Sequence, residues 1–114
     1  MAPGKRMHRR VQAALPCELV CGGESMRAQM VDLSLGGARF RPEGAPPALG
    51  VKVRLRVSLQ GLALGLVGQV VRHPAEGEAA IAFEPLAPAA EAAVSGFISS
   101  QERALLRNHL HLKG

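Results

Sequence analysis

The strongest regularity in the chain is a strict two-residue alternation over 51–60, VKVRLRVSLQ. Val51, Val53, Leu55, Val57 and Leu59 fall on one face, and Lys52, Arg54, Arg56, Ser58 and Gln60 on the other. That is the pattern of a strand packed on one side and wet on the other. The cations of the wet face read as a solvated strand surface. One glycine later, LALGLVGQVVRH (62–73) follows as a hairpin partner would, and its Gly65 and Gly68 predict a bulge or bend. LPCELVC (15–21) alternates too, grouping Leu15, Cys17, Leu19 and Cys21, and stops at Gly22-Gly23. SMRAQMVDLS (25–34) is a further strand, with an alternation too ragged to assign a buried face. GGARFR (36–41) and EAAIAFE (78–84) complete the set, and PEGAPPALG (42–50) predicts a loop.

Six short strands with tight connections predict a mainly β fold, a small six-stranded antiparallel β-barrel. Beyond Pro85 and Pro88 the chain becomes Ala-rich, and Val94, Phe97, Ile98 and Leu105 recur at helical spacing. A C-terminal helix is expected over about 89–109, although Gly96 costs it about 1 kcal/mol relative to Ala. Its first half could cover an open barrel end. Leu105, Leu106, Leu110 and Leu112 form a late apolar cluster. Core packing is expected of it, with a self-association surface, hence a possible homodimer, as the alternative. No repeat or second domain is visible. The chain divides into a flexible basic arm, 1–11, and a single domain, 12–114, as its 114 residues suggest.

Composition narrows the chemistry. The apolar fraction of 47% supports an ordinary core and excludes a disordered chain. With no Trp, no Tyr and three Phe, that core must be aliphatic. Cys17 and Cys21 lie four apart on a strand, roughly 13 Å, which is too far for a disulfide. They read as small core hydrophobes. His8, His73, His109 and His111 do not supply a zinc set. No stretch reaches the length of a membrane span, and Gln12, Pro16 and Glu18 break any secretory h-region. A cytoplasmic location is expected.

Charge changes the picture more. Formal net charge is +5, yet residues 1–17 carry four cations and no anion, while the remainder balances ten cations against nine anions. The basic character therefore belongs to the arm, KRMHRR (5–10), and points to a phosphate-bearing partner. A second feature lies between two strands. In VDLSLGG (31–37), Asp32 and Ser34 project to one side of an extended backbone, and Gly36 and Gly37 can take positive φ or let a ligand approach. Taken alone this is also an Asx/Ser turn with glycine punctuation.

Together, Arg6 and Arg10 form R-x-x-x-R, and Asp32, Ser34 and Gly37 form D-x-S-x-x-G. In that order, with RVQAALPCELV, GARF, GQVVR and AIAFEPL following the same plan, the chain resembles the PilZ domain family over about residues 5–103. The resemblance implies a barrel with a C-terminal helix that acts as a receptor for cyclic di-GMP and signals to a downstream protein, with motility, pilus or polysaccharide machinery as candidates. It implies Arg6 and Arg10 as ligand arginines, with Asp32, Ser34 and Gly37 as the guanine- and backbone-facing positions. Lys5, Arg9 and Gly36 rank as secondary contacts. No cofactor is implied. The chemistry agrees: a guanidinium fork matches guanine O6 and N7 and also phosphate, and an ionised Asp32 can accept from N1–H and N2–H₂. The arm is expected to order across the barrel on binding.

Two other readings stay open. One is a basic barrel for single-stranded nucleic acid, disfavoured by the missing aromatic rings. The other is a ligand-free PilZ-like adaptor, disfavoured by the complete motif. Catalysis is not expected, since Asp32 is the only Asp and no nucleophile–base pair or Walker-type loop appears.

Overall fold

Alternating strands and positive-φ turns close the chain into a barrel. A computed structural model describes residues 9–113, with side chains described as far as Arg107. The strands are β1 (Val11–Cys21), β2 (Glu24–Leu33), β3 (Gly37–Pro42), β4 (Lys52–Leu59), β5 (Leu62–Arg72) and β6 (Ala79–Phe83), followed by helix α1 (Pro88–Lys113). They form a closed antiparallel barrel in the order β1-β2-β3-β6-β5-β4. The fold expectation holds, and α1 extends a turn past the expected 109.

Strand β4 shows why the barrel forms. Val53, Leu55, Val57 and Leu59 are all buried, and the residues between them are exposed. The β4–β5 connection is Gln60-Gly61, both at positive φ (52° and 84°). Two-residue hairpins favour this geometry because its twist matches the strands. Gly22-Gly23 does the same between β1 and β2. The core is aliphatic around Phe40, and Phe97 is 8% exposed. Cys17 and Cys21 are free thiols packed at its margin. Burial pushes the Cys17 thiol up to about 11 and raises that of Cys21.

Two expectations need correction, and one irregularity acquires a cause. The irregularity of β5 lies between Val70 and Arg72 on the β6 side, and pairing to β4 runs unbroken past Gly65 and Gly68. Gly68 instead marks a close approach, since a Cβ there would lie 2.6 Å from the Ala82 carbonyl oxygen. The raggedness of 25–34 has a cause: β2 carries an extra residue relative to β3 between Met30 and Asp32, so Asp32 and Leu33 are both buried. Finally, Leu105 and Leu106 are 63% and 62% exposed, so they do not pack on the core. Leu110 and Leu112 lie beyond the described side chains.

The packed face of α1 is Val94, Phe97 and Ile98, against β1, β4 and β5. Gln101 Nε2 donates to the Gln12 carbonyl at 3.2 Å, tying the helix to the start of β1. Among the described residues, no helix is long and apolar enough to cross a membrane.

Candidate functional site

The end of β2, the turn after it and the entry to β1 meet at one rim of the barrel. Register places Gln12, Asp32 and Arg39 side by side across β1, β2 and β3. The β2 irregularity delivers Asp32 to this point, as bulges often do near functional sites. Asp32 is 5% exposed. Arg10 Nη1 donates to its Oδ1 at 3.2 Å, and Arg39 Nε lies 3.1 Å from its Oδ2. The Arg39 contact is ionic only, because the Nε–H has no hydrogen-bonded partner.

The network continues on the far side of Arg39. Its Nη1 is 3.7 Å from Glu78 Oε1, and Arg41 Nη2 pairs with Glu78 Oε2. Glu78 is 4% exposed and sits just before β6, where its N–H donates to the Ala75 carbonyl at 3.0 Å. Two buried carboxylates thus alternate with three guanidinium groups, Arg10–Asp32–Arg39–Glu78–Arg41. A buried carboxylate is tolerated only when paired in this way.

Ser34 is 4% exposed and fully engaged in its own turn. Its Oγ accepts from the N–H groups of Gly36 and Gly37, each at 3.2 Å, and donates to the Gly37 carbonyl at 3.3 Å. The Ser34 N–H donates to the same carbonyl at 2.8 Å. Gly37 has no positive φ, so conformational freedom is not its contribution. A Cβ at Gly37 would stand 2.2 Å from the Ile81 carbonyl oxygen. The missing side chain is what lets β3 approach β6, and the Gly36 carbonyl then accepts from the Phe83 N–H at 2.9 Å. Ser34 and Gly37 therefore shape the turn, whatever else they touch.

Of the eight residues anticipated from sequence, the structure brings Arg10, Asp32, Ser34, Gly36 and Gly37 to one rim. Arg9 turns to the helix, where its Nη1 pairs with Glu102 Oε1 at 3.2 Å. There it borders a small hollow with Leu35, Ser95 and Ile98. Lys5 and Arg6 lie outside the described residues. Arg39 and Glu78 were missed. GARF placed Arg39 on a strand directly after the turn, but nothing in the sequence reveals that Glu78, thirty-nine residues on, is its partner. Chemically, the rim offers one buried acceptor, Asp32, between two guanidinium forks that suit planar or phosphate oxygens.

A family model described as the PilZ domain matches residues 4–100. No curated protein matches the sequence. Among solved structures, the PilZ domain of YcgR from Escherichia coli, solved with c-di-GMP, is similar at TM-score 0.70 and 23% identity, covering 92% of this chain and 97% of that one. The PilZ domain of CeSA from a cellulose-synthesizing bacterium gives TM-score 0.65 and 24% identity, over 82% and 98%. The Bacillus subtilis inhibitor of motility, MotI/DgrA, gives 0.66 and 17%, over 87% of this chain and 52% of that one. At these identities the structural likenesses speak for the fold, while the family match spans most of the sequence. With the arm–turn geometry and the barrel order both in place, the chain belongs to the PilZ domain family.

Proposed function

We propose that this chain is a non-enzymatic receptor for cyclic di-GMP, acting in the cytoplasm as an adaptor for a downstream protein. The observation that carries it is the convergence of Arg10 on Asp32, twenty-two residues apart, at 3.2 Å beside the Ser34–Gly37 turn. Arg6, one motif step before Arg10, supplies the second ligand fork, with Lys5, Arg9 and Gly36 as secondary contacts. The PilZ domain of YcgR, solved with c-di-GMP, supports the ligand class.

The mechanism is an exchange of partners. Without ligand, Arg10 occupies Asp32. A guanine brings its own N1–H and N2–H₂ donors to that carboxylate and frees the Arg10 fork for O6, N7 or phosphate. Arg39 stays on Oδ2 throughout. Moving Arg10 disturbs its neighbour Arg9, whose bond to Glu102 reaches α1, so the helix feels whether the arm is engaged. A second copy of this chain suits the exposed Leu105–Leu106 face of that helix.

The nucleic-acid reading lacks a stacking platform, because Phe40 and Phe97 are buried and the half-buried Phe83 packs against the core. Calorimetric titration with cyclic di-GMP, against GTP and cyclic di-AMP, tests the proposal. Heat of binding for cyclic di-GMP alone, lost in Arg6→Ala and Arg10→Ala, is expected. Absence of binding to verified folded protein overturns it.

A further inference from the structure

Away from that rim, the outer face of β2, β1, β4 and β5 carries an open trough of about 810 Å³. Its origin lies in the β1–β4 seam, which has the fewest paired residues of any in the barrel. Pairing there covers only Glu18↔Arg56, Leu19↔Leu55 and Val20↔Arg54. Two residues back along β1 from Glu18 stands Pro16, which has no N–H to donate, and the strands part. On the β5 side Ala63 and Gly65 present almost no side chain, so the gap stays open.

Charge on this face is arranged, not scattered. Register aligns Arg27, Glu18, Arg56 and Gly65 in one row across four strands. Arg56 Nη1 donates to Glu18 Oε1 at 3.2 Å. Arg54 leans diagonally over Gly65, its Nη1 3.4 Å from where a Cβ would be. Among the described residues, Arg27 and Arg54 form no ion pair, a state shared by Arg72, Arg103 and Arg107 elsewhere on the surface, whereas Arg9, Arg10, Arg39, Arg41 and Arg56 all do. Two unanswered guanidinium groups thus border a floor of small and apolar residues.

We infer that this trough docks an extended acidic segment of a partner protein. Arg54 and Arg56 are two apart on β4, roughly 7 Å, which is the spacing of carboxylates at alternate positions of an extended chain. Arg54 is free to take one, and the other takes Arg56 in exchange for Glu18, an exposed and therefore weak pair. The floor takes an aliphatic side chain between them. No aromatic ring lines the trough for bases to stack on, which disfavours single-stranded nucleic acid as the occupant. Outside the parted stretch of β1 and β4 the closed barrel has no free sheet edge, and Arg27 and Arg54 carry recognition through their side chains. The surface is distinct from the Asp32 rim and does not depend on the identity of the ligand bound there.

Selection of a random-peptide display library on the full chain, followed by titration of the enriched peptides, tests this. Enriched peptides should carry acidic residues at alternate positions beside an aliphatic one. Arg27→Glu and Arg54→Glu should each weaken them by about tenfold or more. Gly65→Val, which fills the floor without changing charge, should do the same. Arg10→Ala should leave them unaffected, which separates this surface from the ligand rim, and circular dichroism checks that each variant is folded. Peptides without acidic pairs, binding insensitive to both charge reversals, or oligothymidylate binding that those reversals abolish would each overturn the inference.

Discussion

Replacing Gly37 with Ala isolates what the glycine of the turn is for. The added Cβ would stand 2.2 Å from the Ile81 carbonyl oxygen and 3.2 Å from its carbon, so that carbonyl must retreat by about 0.8 Å to reach even the 3.0 Å that real Cβ atoms keep. The obstacle is backbone, and Ile81 is itself core at 2% exposure, so no rotamer change relieves it. Overpacking of this kind costs about 1–3 kcal/mol. Pairing of β3 with β6 spans only four registers, Gly37↔Ala82 to Phe40↔Ala79. Loosening one of its hydrogen bonds adds about 1 kcal/mol. The expected loss is therefore about 2–4 kcal/mol, a large share of the roughly 5–15 kcal/mol that holds a domain. Urea unfolding followed by circular dichroism reads it as a lower midpoint at unchanged slope. The control is Gly65→Ala, where the nearest atom is the movable Arg54 side chain at 3.4 Å. It should be neutral or stabilising by about 0.5–1 kcal/mol. If Gly37→Ala unfolds within about 0.5 kcal/mol of the parent, the steric argument is wrong. A variant that kept its stability and lost ligand would assign Gly37 to ligand access instead.

Other outcomes follow from the same barrel. Arg10→Ala should abolish most cyclic di-GMP binding in calorimetry with little change in unfolding midpoint, since Arg10 is about half exposed and outside the strands. Glu78→Ala leaves Arg39 and Arg41 without their shared carboxylate. Because both arginines are partly exposed, the cost in urea unfolding should be about 1–2 kcal/mol, below that of a fully buried pair. Messenger affinity should fall as well, because Arg39 loses its anchor beside Asp32. Cys17, with its thiol raised to about 11 by burial, should alkylate more slowly than Cys21 at pH 8 in mass spectrometry. A raised thiol means the native state holds its proton longer, so stability should decline as pH climbs from about 9 toward 11. Leu105→Glu with Leu106→Glu should shift any dimer seen by sedimentation to monomer.

The barrel was legible because its strongest signals are local. Alternation in β4 and glycine at both hairpin turns each act within a few residues, and the structure repeats them. The Arg10–Asp32 meeting was also legible, through motif and order. Three things were not. The irregularity in β2 puts two buried residues in succession, so a period-two reading of 25–34 fails at Asp32, the carboxylate of the rim. Partnership of Arg39 with Glu78 depends on β3 lying beside β6, a register that no local pattern encodes. The role of Gly37 is likewise set by a carbonyl forty-four residues away. At the helix, the late leucines continue a helical apolar pattern, yet the barrel has already ended where Leu105 and Leu106 emerge.

The extra residue in β2 has a consequence for descent. Removing Val31 alone would bring β2 into step with β3 and reverse the parity of every position before it, without touching one letter of the D-x-S-x-x-G signature. If the rim takes its messenger as proposed, a lineage would turn deaf to it through the loss of a single codon while its sequence still looked competent. Length between Met30 and Asp32, as much as motif, should then separate hearing from deaf relatives.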